Sequence, residues 1–279
     1  MELAFVRFRL LNILLSLVLS RPNLNMKKLI IPFLFSCFGA VAQNKKAIIV
    51  LTYDDALNSQ LNIAIPQLDS AKLTGTFFLT GNISQETLPR WRMAFKKGNE
   101  LANHTLYHPC LITTVKGNPA NNSANYTVYA ILREIGMMNN FLRAIDNENM
   151  HTYAYPCTED KVGGVNYVDS LRQSGIVKYA RMGGDKNAIV TDYAKLDPLL
   201  VPSWAVVGDV TGDNLIAFVK KVQEHGGMGV LMFHGVGGDY LTTTAKAHRE
   251  LLKYLSEHRQ EVWTTTFKQA MDYVAARGK

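Results

Sequence analysis

What is missing narrows the reading first. No apolar run in the 279 residues reaches the roughly 18–20 needed to span a bilayer, so no transmembrane anchor is expected. The stretches 10–19 and 29–38 are apolar but short, and Asn12 and Ser16 interrupt the first. A working excess of one charge sign is missing too. The formal net charge is +7, yet five of the 30 basic residues (Arg7, Arg9, Arg21, Lys27 and Lys28) but only Glu2 of the 23 acidic ones fall within 1–42. From Gln43 onward 25 basic residues face 22 acidic ones, without the clustered basic face that a nucleic-acid partner requires. The run 90–97 reads as the solvated side of a helix. Internal repeats, low-complexity tracts and an inter-domain linker are absent, so residues 43–279 read as one domain, and nothing points to a protein partner. Cysteine is scarce: beyond Cys37, only Cys110 and Cys157 remain.

The first 42 residues have the layout of an export signal. Met26-Lys27-Lys28 is a short basic segment, 29–38 is apolar, and Ala40-Val41-Ala42 is an A-x-A cleavage site before Gln43. Met26 is the expected true start and Gln43 the expected mature N-terminus, which makes the protein periplasmic or secreted. Leu34-Phe35-Ser36-Cys37 loosely resembles a lipobox, so a lipoprotein anchored at Cys37 is the alternative. An oxidising compartment permits a disulfide between Cys110 and Cys157.

From residue 47 strand-like and helix-like segments alternate. Continuous apolar runs at 47–53 and 229–233 read as buried strands, and 76–79, 100–103, 151–155 and 262–264 as shorter ones. Helical spacing marks 61–73, 87–97, 128–145, 167–174, 214–224, 244–258 and 266–276, while 176–202 has no clear period. This alternation predicts a parallel sheet, barrel or doubly wound.

Several chemically capable side chains fall at the ends of these strands. Asp54-Asp55 closes the first, His104 and His108 follow 100–103, and His234 closes 229–233. Two imidazoles at i,i+4 reach one side of a helical turn. Acids ending an apolar strand are costly to bury unless a cation or hydrogen bonds compensate them. Together the set has what a one-metal hydrolase needs: three ligands for a divalent ion, and two further groups to move protons. In a β/α barrel the strand C-termini share one face, so such distant residues can meet.

The order Thr52-Tyr53-Asp54-Asp55, His104-x-x-x-His108-Pro109, Tyr155-Pro156-Cys157 and Leu231-Met232-Phe233-His234-Gly235 resembles the polysaccharide deacetylase (NodB-homology) family, carbohydrate esterases among them, over roughly 47–276. The resemblance implies an α/β fold, a distorted (β/α) barrel in one domain. It also implies a hydrolase that removes acetyl groups from N- or O-acetylated sugars with a divalent metal, Zn²⁺ being the expected ion. Carried over by position, Asp55, His104 and His108 are the metal ligands, Asp54 the general base and His234 the general acid. The backbone N–H of Cys157 is the oxyanion donor. Tyr155 and Trp204 are the expected substrate contacts. Because Cys110 and Cys157 each lie close to one of these motifs, they are expected to bridge if the motifs line one site.

The chain departs from the family pattern twice. Where the third motif usually begins with an arginine that grips the base, this sequence has Ala154; Arg181 is the candidate replacement. Where an aspartate usually precedes a tryptophan and orients the acid histidine, Ser203 precedes Trp204; Asp209 or Asp239 are the candidates to stand in. Two other readings stay open: a metal-dependent amidohydrolase for a non-sugar amide, and a non-catalytic glycan-binding relic of the same barrel.

Overall fold

Strand β1 (Ala47–Asp54) is buried along its whole length and forms the axis of the sheet. It is flanked on one side by β10 (Met228–Phe233), parallel and in register from Ile48↔Met228 to Tyr53↔Phe233. On the other side β11 (Val262–Thr265) pairs with its first half and β2 (Thr76–Leu79) with its end. The computed structural model describes residues 47–113, 118–184 and 188–278; the expected export segment, the expected cleavage site and Cys37 lie outside them.

Beyond β2 come β3 (Glu100–Asn103), β4 (Tyr153–Ala154) and β7 (Ala180–Arg181), all parallel. Beyond β10 lie β9 (Trp204–Ala205), parallel, and β8 (Ile189–Val190), antiparallel. Two single bridges, Arg181↔Val201 from β7 to the segment before β9 and Gly184↔Trp204 from the segment after β7 to β9, carry the curled sheet round on itself. The result is the distorted barrel expected from the sequence. A separate two-stranded hairpin, β5 (Lys161–Val162) and β6 (Val165–Asn166), sits apart.

Because β side chains alternate faces, β1 builds two cores at once. Ile49, Leu51 and Tyr53 join Phe77, Leu231 and Phe233 beneath the helices. Ile48 and Val50 join Phe78, Ala102, Ala154 and Val230 inside the barrel, where α7 (Phe267–Arg277) adds Phe267, Met271 and Val274. The other helices are α1 (Ile65–Ala71), α2 (Leu88–Lys96), α3 (Val128–Asp146), α4 (Val168–Ser174), α5 (Gly212–His225) and α6 (Ala245–Glu257). Threonine caps at Thr127, Thr211, Thr244 and Thr266 accept a first-turn N–H and fix where α3, α5, α6 and α7 begin.

The expected single helix 61–73 is divided. A widened π turn, Gln60–Ala64, precedes α1. Pro66 explains the break, since it has no N–H for the regular helical bond.

Candidate metal centre

Asp54 ends β1 pointing into the barrel, and strand alternation would send Asp55 to the other face. It does not, because Asp55 takes a left-handed backbone (φ 82°) followed by Ala56 at φ 57°. This turn brings consecutive carboxylates to one rim, both at least 93% buried.

The histidine pair meets without the helical turn that its spacing suggested. Thr105 (φ 63°) and His108 (φ 51°) are left-handed and the segment is a tight loop. Side chains hold it: Asn103 Oδ1 accepts from Thr105 N at 2.8 Å, and Thr105 Oγ1 accepts from His108 N at 3.0 Å. Asn103 is itself moored to α3 through Ile135 O at 2.8 Å. The loop sets the two Nε2 atoms 3.1 Å apart.

Three ligand atoms then converge. Asp55 Oδ1 lies 3.4 Å from His104 Nε2 and 3.3 Å from His108 Nε2. His104 Nδ1 is 2.9 Å from the Ala154 carbonyl, which only accepts, so Nδ1 carries the proton and Nε2 offers a lone pair. Burial pushes His104 down to about 4 against the upward pull of Asp54; burial, then the charge of His104, pushes His108 down to about 4. Both rings are therefore neutral near pH 7, the form that binds a metal. Asp55 Oδ1 is buried without a hydrogen-bond partner. A buried oxygen with no donor, facing an imidazole lone pair, is what a cation would satisfy, so the donor set fits a divalent ion. His108 could also be grouped with Cys110 and Cys157, but those sulfurs are bonded to each other.

Arg181 reaches Asp54, as expected of the replacement for the missing family arginine. Nη2 donates to Asp54 Oδ2 at 2.5 Å, Nη1 donates to Ser203 Oγ at 3.2 Å and also contacts Met232 Sδ, and the guanidinium lies 5.0 Å from the Phe78 ring centre. Its backbone is the register partner of Ala154 on the neighbouring strand. Burial by itself would raise the Asp54 carboxyl. The charge of Arg181, then His104 and His234, and the Arg181 hydrogen bond outweigh it and hold Asp54 below the ordinary carboxylate value. Asp54 Oδ1 remains buried and unpartnered.

His234 faces this cluster, with Nε2 3.8 Å from Asp55 Oδ2. Its Nδ1 is buried without a partner, so neither candidate aspartate orients it. Asp209 is exposed, and Asp239 Oδ2 instead accepts from Ser59 N at 2.7 Å. Ser203, at the position where an aspartate was missing, serves Arg181 and donates to Met182 O at 2.8 Å.

Two further residues belong to the centre that sequence reasoning did not single out. Gln60 Nε2 donates to Asp54 O at 2.5 Å and to His234 O at 3.1 Å, tying the ends of β1 and β10 together. Tyr240 donates to Asp55 Oδ2 at 2.9 Å; burial and the Asp55 charge raise its hydroxyl, keeping it a donor. The glycine-rich run Gly235-Val236-Gly237-Gly238 just before it was the available signal of a loop folding back on the site.

Cys110 and Cys157 form a disulfide with a Cα separation of 5.8 Å. Cys110 Sγ lies 3.4 Å from His108 Nδ1, so the bridge backs one candidate ligand. Cys157 sits in a one-turn segment, Pro156–Thr158, at φ 53°.

Of the two expected sugar contacts, Tyr155 is a buried ring and Trp204 a half-buried one. Tyr155 is 2% exposed and packs on Tyr153 and Tyr167, at ring separations of 5.0 and 5.5 Å. Trp204 follows inward-facing Ser203, so alternation turns it outward, where it packs on Phe218 of α5 at 5.2 Å.

Residues 42–173 match the family model described as polysaccharide deacetylase. No curated protein matches the chain significantly. Among solved structures, a putative polysaccharide deacetylase from Mycobacterium smegmatis is similar at TM-score 0.57 and 18% identity, over 84% of this chain and 92% of that one. A family 4 acetyl xylan esterase from Clostridium thermocellum, in complex with a cobalt ion, is similar at TM-score 0.53 and 17% identity, over 81% and 91%. A CE4 family pseudoenzyme from Bacillus anthracis is similar at TM-score 0.52 and 18% identity, over 82% and 66%. At these identities the likeness is one of fold.

Proposed function

The chain belongs to the polysaccharide deacetylase family, and from that premise we propose that it hydrolyses N- or O-linked acetyl groups on an exported-side carbohydrate, using a divalent ion, with Zn²⁺ first among candidates. Asp55, His104 and His108 would hold the ion. When bound, it supplies Lewis acidity that polarises the acetyl carbonyl and acidifies water.

The remaining steps fall to the chain. Asp54, kept ionised by Arg181, takes the proton from the attacking water through its unpartnered Oδ1. The N–H of Cys157, held in place by its disulfide, donates to the developing oxyanion. His234 delivers a proton to the departing amine or alcohol. The observation that carries the reading is the buried Arg181–Asp54 pair beside three converging ligand atoms.

Acetate release from a panel of acetylated glycans and non-sugar amides, with and without chelator, tests it. Chelator-sensitive release from a glycan is expected. Release from non-sugar amides alone favours the amidohydrolase reading, and no release from any substrate favours the binding relic. A Cys110–Cys157 bridge suits an oxidising compartment, which supports export; the A-x-A site at 40–42 supports Gln43 as the mature N-terminus. N-terminal sequencing of exported material checks this, and a lipid-modified Cys37 would favour the anchored form.

A further inference from the structure

The loop that follows His234 is tied together more firmly than a mere link from β10 to α6 requires. Gly237 N donates to Thr243 O at 2.8 Å and Thr243 N to Gly235 O at 2.9 Å, closing its base. Gly235 N donates to Tyr240 O at 3.2 Å, so the tip folds back on the base. The approach is close enough that a Cβ at Gly235 would lie 2.1 Å from Gly238 O. Buried Ser59, just before the π turn, grips the loop twice. Its Oγ accepts from Val236 N at 3.1 Å, and its N donates to Asp239 Oδ2 at 2.7 Å. Asp239 (φ 60°) and Leu241 (φ 45°) are left-handed, a conformation that leucine takes only where its surroundings impose it. Between these two strained residues stands Tyr240.

Tyr240 is 55% exposed, so water could satisfy its hydroxyl, yet that hydroxyl is set on Asp55 Oδ2 at 2.9 Å. The two oxygens of Asp55 therefore have different surroundings. Oδ1 has no hydrogen-bond partner and faces Nε2 of His104 and of His108, at 3.4 and 3.3 Å. Oδ2 sits between Tyr240 Oη and His234 Nε2, the latter at 3.8 Å. A carboxylate free to rotate has two moves that would harm such a site. It can turn both oxygens onto a bound ion and fill the position that water needs, or it can swing Oδ2 onto the His234 imidazole. Either move breaks the hydrogen bond from Tyr240, and a hydrogen bond to a charged oxygen is among the stronger ones.

We propose that Tyr240 is a positioning residue: it holds the Asp55 carboxylate in the orientation that offers Oδ1 to the ion and withholds Oδ2, which keeps one coordination position open and leaves His234 free to face the substrate. The loop 235–243 is the frame that aims its hydroxyl. This rests on the metal-dependent reading above and adds to it a residue that touches neither ion nor substrate but decides how a ligand is presented.

Tyr240→Phe tests it, because it keeps the half-exposed ring and removes only the hydroxyl. With the full mature protein saturated with Co²⁺, the intensity of the visible absorption bands reports the coordination of the ion and falls as ligands are added. Tyr240→Phe should show weaker bands than the parent, as the released second oxygen enters coordination. It should also lower kcat about 10-fold or more, with KM unchanged, on whichever acetylated substrate the parent cleaves. Leu241→Ala alters the same loop tip without removing the hydroxyl and should leave the bands as in the parent. Unchanged or stronger bands in Tyr240→Phe, or an equal weakening in Leu241→Ala, overturn the inference and leave the hydrolase reading intact. If the bands weaken in Tyr240→Phe alone but no substrate ever yields acetate, the positioning role stands and the hydrolase reading fails. A parent that takes up no Co²⁺ overturns both.

Discussion

Replacing Arg181 with methionine is the most demanding test of the site's electrostatics. The guanidinium and Asp54 are both almost wholly buried and 2.5 Å apart, so methionine leaves a carboxylate in a closed interior without its cation. Breaking such a pair from one side costs about 3–5 kcal/mol, a large part of the 5–15 kcal/mol that stabilises a typical domain. Asp54 would escape part of that cost by taking up a proton. Its carboxyl, held low by Arg181 in the parent, would rise because burial is then less opposed. In the parent the pair's contribution to stability is complete above the unfolded carboxyl value and is lost as pH falls through the lower folded one. In Arg181→Met that acid-side loss should disappear, and the acidic limb of the pH–rate profile should move to higher pH. Turnover at neutral pH should fall by at least about 100-fold. Arg181→Lys keeps the charge but not the second arm to Ser203, and should cost about 1.5–3 kcal/mol while retaining bound metal. Urea unfolding of the parent, Asp54→Asn, Arg181→Met and the double variant closes a thermodynamic cycle. A coupling of at least about 2 kcal/mol is expected. A coupling near zero, or a pH–rate limb that does not move, would refute the argument.

Three other outcomes follow from the same geometry. Asp54→Asn should bind a stoichiometric metal ion yet lose most turnover, whereas His104→Ala should lose both, as metal analysis of the purified variants will show. Thiol titration of the unfolded, unreduced mature protein should find no free cysteine; Cys110→Ala with Cys157→Ala should cost about 4 kcal/mol in urea unfolding, from the entropy of a bridge spanning 47 residues. His248, held neutral between Tyr53 Oη and Gln67 Oε1 at 2.7 Å each, is pushed down by burial to about 3 from an ordinary 6.5. Since the unfolded chain protonates first, its contribution is complete above pH 6.5 and drains away as pH falls towards 3, at up to about 1.4 kcal/mol per unit. Replacing His248 with a non-titrating residue should flatten that part of the stability–pH curve.

The sequence made the long elements legible and the short ones obscure. An eight-residue buried strand such as β1 announces itself, and so do the acids and histidines stranded at the ends of such runs. Arg181 was within reach as the candidate for the missing family arginine, although 176–202 has no clear period to mark the two-residue strand that delivers it. How Tyr155 and Trp204 face was hard to read for a simple cause: β4 and β9 are two residues long, too short for alternation to reveal which side chain faces inward. The spacing of His104 and His108 suggested a helix because i,i+4 is helical by default. Only the left-handed residues between and at them show that a loop achieves the same meeting. Gln60 and Tyr240 act through contacts across 174 and 185 residues, which no local pattern records.

The pairing of Ala154 with Arg181 bears on how such sites change over evolutionary time. Adjacent strands lie roughly 4.8 Å apart, less than the length of an arginine side chain, and these two residues are opposite one another in the ladder. A guanidinium can therefore be lost from one strand and regained on the next while its positive end stays where the aspartate needs it. A motif demanding arginine at the older position would score this chain as a degenerate copy. What the aspartate needs here is a charge at a place, and two opposed ladder positions are both near enough to supply it.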